Sequence, residues 1–177
     1  MPSEKTIKCL MDAFAGESKA RNKYSFFASI AEKAGYNQIA GIFRETEANE
    51  REHAKRLYKL AGELDGVDTV EALKQAIVGE NYEHTSMYPE FMKIAEQEGD
   101  ADIAKVFKEI GEVEEQHEKR YQKLLDNIKA DRVFKRDEKV QWHCRNCGYI
   151  HTGKQAPEKC PACDHEQGYF EVWCEAY

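Results

Sequence analysis

Glu50-Arg51-Glu52-His53 returns 64 residues later as Glu114-Glu115-Gln116-His117, and the surrounding text returns with it. Ile30-Ala31-Glu32, Gly35, Ile39-Ala40, Phe43, Glu45 and Lys55-Arg56 recur as Ile94-Ala95-Glu96, Gly99, Ile103-Ala104, Phe107, Glu109 and Lys119-Arg120. Around each copy the apolar residues step by three and four, as on one face of a helix. Gly35 and Gly99 end the leading helices, and short loops make each pair antiparallel. A duplicated helical hairpin with one Glu-x-x-His per copy predicts two metal ions held between two related halves.

The helices are expected over about 3–34, 37–61, a third stretch ending at Glu98, and 100–130. Asp68 with Glu71 resembles a capping box for a short helix ending near Gly79. Asp100 is an expected N-cap. Residues 62–79 then form the long crossover between the hairpins. The charged stretch Asp131–Lys139 reads as a linker, and helical periodicity stops beyond it. This places one domain at 1–137 and a second at 138–177. So short a second domain needs a metal staple, because burial alone seldom folds it.

Composition narrows the function. A net charge of −7 argues against general nucleic-acid binding. No apolar run approaches the roughly 20 residues of a bilayer span, so no membrane role is expected. Met1-Pro2-Ser3-Glu4-Lys5 has no apolar signal core, and the chain reads as cytoplasmic. Four of the six cysteines fall in Cys144-x-x-Cys147 and Cys160-x-x-Cys163, a metal spacing in a cytosolic chain. Gly148 and Asp164 follow the two pairs. Both residue types accept the positive φ that turns backbone N–H groups toward sulfur. The bound metal is iron or zinc; spacing does not decide. Cys9 and Cys174 belong to no motif.

Glu17, Glu50, His53, Glu80, Glu83, Glu114 and His117 all fall in the inward stripes. Glu17 lies 18 residues before Gly35 and Glu50 lies 15 after it; Glu80 and Glu114 lie 19 before and 15 after Gly99. The side chains therefore converge on one level. Buried carboxylates without cations are costly or take up protons. A lone Glu-x-x-His is ordinary on a solvated helix. Two copies, level with Glu17 and Glu80, indicate metal, and carboxylates with imidazoles suit iron or manganese. Tyr24 and Tyr88 lie one to two turns beyond, either as core aromatics or as hydrogen-bond partners of the carboxylates. His84, His143, His151 and His165 are expected on surfaces or loops.

One residue breaks the repeat. The tyrosines keep the offset of 64, but Glu17 and Glu80 are 63 apart. A residue inserted into a helix is absorbed as a π-bulge, predicted here between Glu80 and Tyr88. Pro89, which disturbs the bond to the Thr85 carbonyl, favours the same place.

These features together resemble the rubrerythrins over essentially the whole chain. The resemblance rests on Ala15-Gly16-Glu17-Ser18, Gly79-Glu80-Asn81-Tyr82-Glu83 with Met87-Tyr88-Pro89, both Glu-x-x-His motifs, and the tail Cys147-Gly148-Tyr149 with Cys160-Pro161-x-Cys163. It implies a mainly α chain, a ferritin-like four-helix bundle with a long crossover, and a small rubredoxin-like domain. The implied cofactors are a non-haem di-iron centre and one iron on four cysteines. The resemblance makes Glu50 and Glu114 bridging ligands, Glu17 terminal on one iron, and Glu80 with His117 terminal on the other. His53 and Glu83 match the positions that exchange on one iron as it is oxidised. The implied activity is NAD(P)H-linked reduction of hydrogen peroxide, as protection against oxidative stress. No dinucleotide fingerprint is present, so the partners include a separate NAD(P)H-dependent rubredoxin reductase or rubredoxin, and a homodimer is expected. The site residues that would act on peroxide are Glu17, Glu83, His53, Tyr24 and Tyr88. A ferroxidase or iron-handling role on the same bundle is the alternative.

Overall fold

A computed structural model describes residues 2–175. The element order is α1 (Glu4–Lys33), α2 (Asn37–Leu60), α3 (Thr69–Tyr82), a π-helical segment (Glu83–Met87), α4 (Tyr88–Glu98), α5 (Ala101–Lys129), β1 (Lys135–Cys144), β2 (Ile150–Gln155) and β3 (Phe170–Val172). Compactness divides the chain into two units, Met1–Val67 and Asp68–Tyr177.

In the first unit α1 and α2 form an antiparallel hairpin. Ser3 starts α1 by accepting the Thr6 N–H at 3.3 Å. Gly35, at φ 80°, carries the chain into the turn. The helices approach closely at Ala28, Ala31, Ala40 and Ala54, whose small side chains are all buried. An aromatic trio sits beside them. Tyr24 lies 6.1 Å from Phe43, and Phe27 lies 5.6 Å from Phe43.

The second unit repeats this construction. Asp68 caps α3 by accepting the Glu71 N–H at 2.8 Å, as the capping pattern predicts. Gly99 turns the chain at φ 87°. Asp100 occupies the N-cap of α5, but its side chain makes no capping bond there. Ala95 and Ala104 are buried at the sites equivalent to Ala31 and Ala40. The second trio has nearly the same spacing, with Tyr88–Phe107 at 6.2 Å and Phe91–Phe107 at 5.7 Å.

Two sequence expectations change. No helix ends near Gly79; α3, the π segment and α4 follow one another without a gap to Glu98. Glycine in a helix interior costs only about 1 kcal/mol, which neighbouring turns outweigh. The charged stretch read as a linker is strand from Lys135 onward, pairing with Gln155 before a register shift ahead of Val140. The π-bulge stands where the broken repeat places it, at Glu83–Met87.

The tail forms a three-stranded antiparallel sheet in the order β2-β1-β3. Its core is Trp142, Cys144, Ala156, Cys160 and Phe170. Trp142 is fully buried and donates its indole N–H to Gly153 O at 3.0 Å.

Candidate metal centres

Within each hairpin a carboxylate–carboxylate–imidazole group assembles. Ligand atoms of Glu17, Glu50 and His53 all lie within 4.8 Å of one another, as do those of Glu80, Glu114 and His117. Glu50 and His53 are three residues apart on α2, so they share a face. His53 Nδ1 lies 2.8 Å from Glu50 Oε2, and His117 Nδ1 lies 2.7 Å from Glu114 Oε2. His117 Nδ1 is also 3.7 Å from Glu80 Oε2. The duplication thus extends to the ligand geometry.

The carboxylates are half-buried, whereas the His53 side chain is 60 % exposed. Burial pushes the Glu80 carboxyl above its ordinary value, and the nearby Glu114 charge pushes it further. Two carboxylates brought together in partial burial, facing the ring nitrogen of an imidazole, suit a divalent or trivalent cation. A cation would remove the penalty that now raises Glu80. Glu83 stands outside the group of three, at the first residue of the π segment. Its charge still raises both Glu80 and Tyr88. Burial is the larger cause at Tyr88, and it moves the phenol still further from ionisation.

Sequence reasoning missed one neighbour. His84, expected on a surface or loop, lies in the π-helical segment. It is half-buried, and its Nε2–H donates to Glu118 Oε2. Asn81 Nδ2 reaches both Glu118 oxygens at 3.3 Å. The His84 hydrogen bond holds the Glu118 carboxyl below the usual carboxylate range. Glu118 occupies the site equivalent to buried Ala54, a difference visible in the repeat.

The four-cysteine site is built from two matching knuckles. Gly148 N–H donates to Cys144 O at 2.9 Å and Cys144 N–H donates to Tyr149 O at 2.8 Å. Asp164 N–H to Cys160 O at 2.9 Å and Cys160 N–H to His165 O at 2.8 Å repeat the pattern. Gly148 and Asp164 take φ of 82° and 58°, as expected. Sulfur separations are 3.8 Å for Cys144–Cys163 and 3.6 Å for Cys147–Cys160. A tetrahedron with metal–sulfur distances of about 2.3 Å has edges of about 3.8 Å, so the cage fits a tetrahedral ion. The His165 N–H holds the Cys163 thiol down at about 6. The Tyr149 N–H likewise favours the Cys147 thiolate, but the other thiols, Cys163 first, push it up to about 12. One proton is thus readily lost and others are shared, the state a metal resolves.

Helical hairpins with duplicated Glu/Glu/His sets, joined to a four-thiolate knuckle domain, define a class of protein with carboxylate–histidine metal sites and a separate thiolate metal site. The rubrerythrin family model matches residues 8–125, and the rubrerythrin rubredoxin-like domain model matches residues 142–171. Similar proteins include a rubrerythrin of Porphyromonas gingivalis, 51 % identical over 94 % of this chain and 89 % of that protein. A putative rubrerythrin of Methanocaldococcus jannaschii is 48 % identical over 98 % of this chain and 95 % of its own length. A rubrerythrin of Nitratidesulfovibrio vulgaris is 47 % identical over 97 % and 96 %. The chain belongs to the rubrerythrin family. It carries the residues of a di-iron site and of a rubredoxin-like four-cysteine site, on a mainly helical, ferritin-like fold. The family is one of oxidoreductases associated with oxidative stress. Among the described residues, no helix is long and apolar enough to cross a membrane.

Proposed function

We propose that this protein reduces hydrogen peroxide to water on a di-iron centre liganded by Glu17, Glu50, His53, Glu80, Glu83, Glu114 and His117. The observation that carries the reading is the presence, on one chain, of two Glu/Glu/His groups and a four-thiolate cage. A storage protein has no use for such a donor. The net reaction is peroxide plus two protons and two electrons to two waters. Bound iron would supply the electrons and the Lewis acidity for breaking the O–O bond.

The chain's own groups handle charge and protons. Glu50 and Glu114 would bridge, while Glu17, Glu80 and His117 would terminate the centre. Glu83 and His53 would alternate according to the iron's charge, an anion suiting ferric and a neutral imidazole ferrous. Tyr88, whose phenol burial raises above its ordinary value, can present its Oη–H to a carboxylate or to a departing oxygen. Tyr24, in the aromatic trio of the first hairpin, would present its Oη–H there. Electrons would come from NAD(P)H by a separate reductase or rubredoxin, then through the iron on Cys144, Cys147, Cys160 and Cys163. Residues 1–137 would be the di-iron domain and 138–177 the electron-entry domain, in a cytoplasmic homodimer.

The test compares hydrogen peroxide with dioxygen as oxidant of the anaerobically reduced, iron-loaded protein. Peroxide should reoxidise the di-iron chromophore far faster than dioxygen. Faster reaction with dioxygen, accompanied by accumulation of ferric mineral, would establish the ferroxidase alternative instead.

A further inference from the structure

Beside the second ligand group lies a hydrogen-bonded cluster with no role in the proposed reaction. Asn81 on α3 and His84 in the π segment both donate to the Glu118 carboxylate on α5. Each cluster member adjoins a group already discussed: Asn81 follows Glu80, His84 follows Glu83, and Glu118 follows His117. Successive helical residues point about 100° apart, so these groups flank the ligands without being ligands.

The cluster sits where the helix is weakest. A π turn is a rare conformation that depends on its surroundings. Thr85 Oγ1–H donates to the Asn81 carbonyl at 2.6 Å, engaging one backbone acceptor of this turn. At the far end a Cβ added to Gly111 would meet Tyr88 Cβ at 3.3 Å, so α5 lies close against the segment there. Glu118 ties α5 to the π turn through His84 and to the last turn of α3, just before it, through Asn81. Hydrogen bonds to a charged acceptor are the stronger kind.

The first hairpin serves as an internal control. There α1 is an uninterrupted α-helix, and the site equivalent to Glu83 is Ala20. The counterparts of Asn81, His84 and Glu118 are Ser18, Arg21 and Ala54. Ser18 bonds its own helix at Phe14 O, 2.7 Å away, and Arg21 lies 3.9 Å from Glu47. Glu47 is on α2, so Arg21 also reaches across its hairpin, but Ala54 offers no acceptor at the site of Glu118. The tie through Glu118 accompanies the extra residue and the extra carboxylate.

We infer that Glu118 is a positioning residue: through Asn81 and His84 it fixes the π turn against α5, and so sets how Glu83 and His117 are presented to the metal. This role rests on the reading of Glu83 and His117 as iron ligands; the anchoring of the π turn does not.

The test uses the full chain, wild type against Glu118→Ala, Glu118→Gln and the double variant Asn81→Ala/His84→Ala. In metal-free protein, hydrogen exchange of the 84–88 amides should accelerate by about tenfold or more in Glu118→Ala, from loss of charged hydrogen bonds, with α1 and α2 unchanged. In iron-loaded protein the di-iron midpoint potential and spectrum should shift, while those of the four-cysteine iron stay fixed. Glu118→Gln, which keeps one oxygen acceptor but no charge, should fall between wild type and Glu118→Ala. The double variant, which leaves Glu118 in place, should reproduce Glu118→Ala. Unchanged exchange at 84–88, or faster exchange with an unmoved di-iron midpoint and spectrum, would overturn the inference. A wild-type chain with no di-iron spectrum would instead sink the functional reading itself.

Discussion

At the scale of single residues, a partly buried carboxylate of the candidate site burdens the fold until a cation arrives. Glu80 is the clearest case, because its carboxyl is raised by burial and by Glu114. An acid whose folded pKa lies above its unfolded value of about 4.3 binds more protons when folded. Its contribution to stability therefore falls as pH rises from that value through the raised one. Glu80→Gln should make the metal-free protein more stable at pH 7 than wild type, with less difference at pH 4, while weakening iron binding. Thermal melts of metal-free protein at both pH values, with iron titrations beside them, check this. Trp142 presents the opposite case, a residue whose whole value is packing. It is fully buried at the centre of the small sheet domain. Trp142→Ala should cost about 3–5 kcal/mol and abolish the thiolate-to-metal absorption of the tail, leaving helical circular dichroism intact.

At the scale of elements, the two hairpins show what one inserted residue can do. Their aromatic trios and buried alanines superpose in kind, and their Glu-x-x-His pairs make the same contact. They differ in the π segment, where Glu83 and His84 have no acidic or imidazole counterparts in α1. Deleting Ser86 should restore ordinary α-helical bonding and turn the preceding residues by about 100° relative to α4. The variant should keep its helix content by circular dichroism. It should lose the redox-dependent change in the di-iron spectrum that Glu83 is proposed to support. A spectrum that still changes as in wild type would assign that exchange to another group.

At the scale of the whole molecule, two metal chemistries share one chain, and acid should release the metal of the four-cysteine site. The Cys163 thiol is held at about 6 without metal, so below that value a proton competes there as it already does at Cys147. Metal should leave the tail progressively as pH drops through this range, seen as bleaching of the thiolate-to-metal absorption. Cys144→Ser should remove the same absorption at any pH. It should slow peroxide reduction driven by NAD(P)H and a reductase by at least about tenfold, a barrier increase of about 1.4 kcal/mol. Reaction of the chemically reduced di-iron centre with peroxide should persist. Equal loss of both activities would argue that the tail has a structural rather than an electron-carrying role.

Much of this was legible in the sequence, because it depends on period and spacing. A 64-residue repeat fixes two equivalent hairpins, a one-residue slip fixes the π segment, and paired Cys-x-x-Cys fixes a tetrahedral thiolate cage. Residues such as Gly148 and Asp164 announce positive φ through their own sterics. Tertiary structure decided what depends on neighbours distant in the chain. Whether Gly79 breaks a helix turned on the packing of α3 against α5, and whether 135–139 is linker or strand turned on Gln155. His84 looked like an ordinary polar residue until Glu118, 34 residues away, was placed beside it. Local preference is written residue by residue, but a hydrogen bond between two helices exists only once packing has set their register.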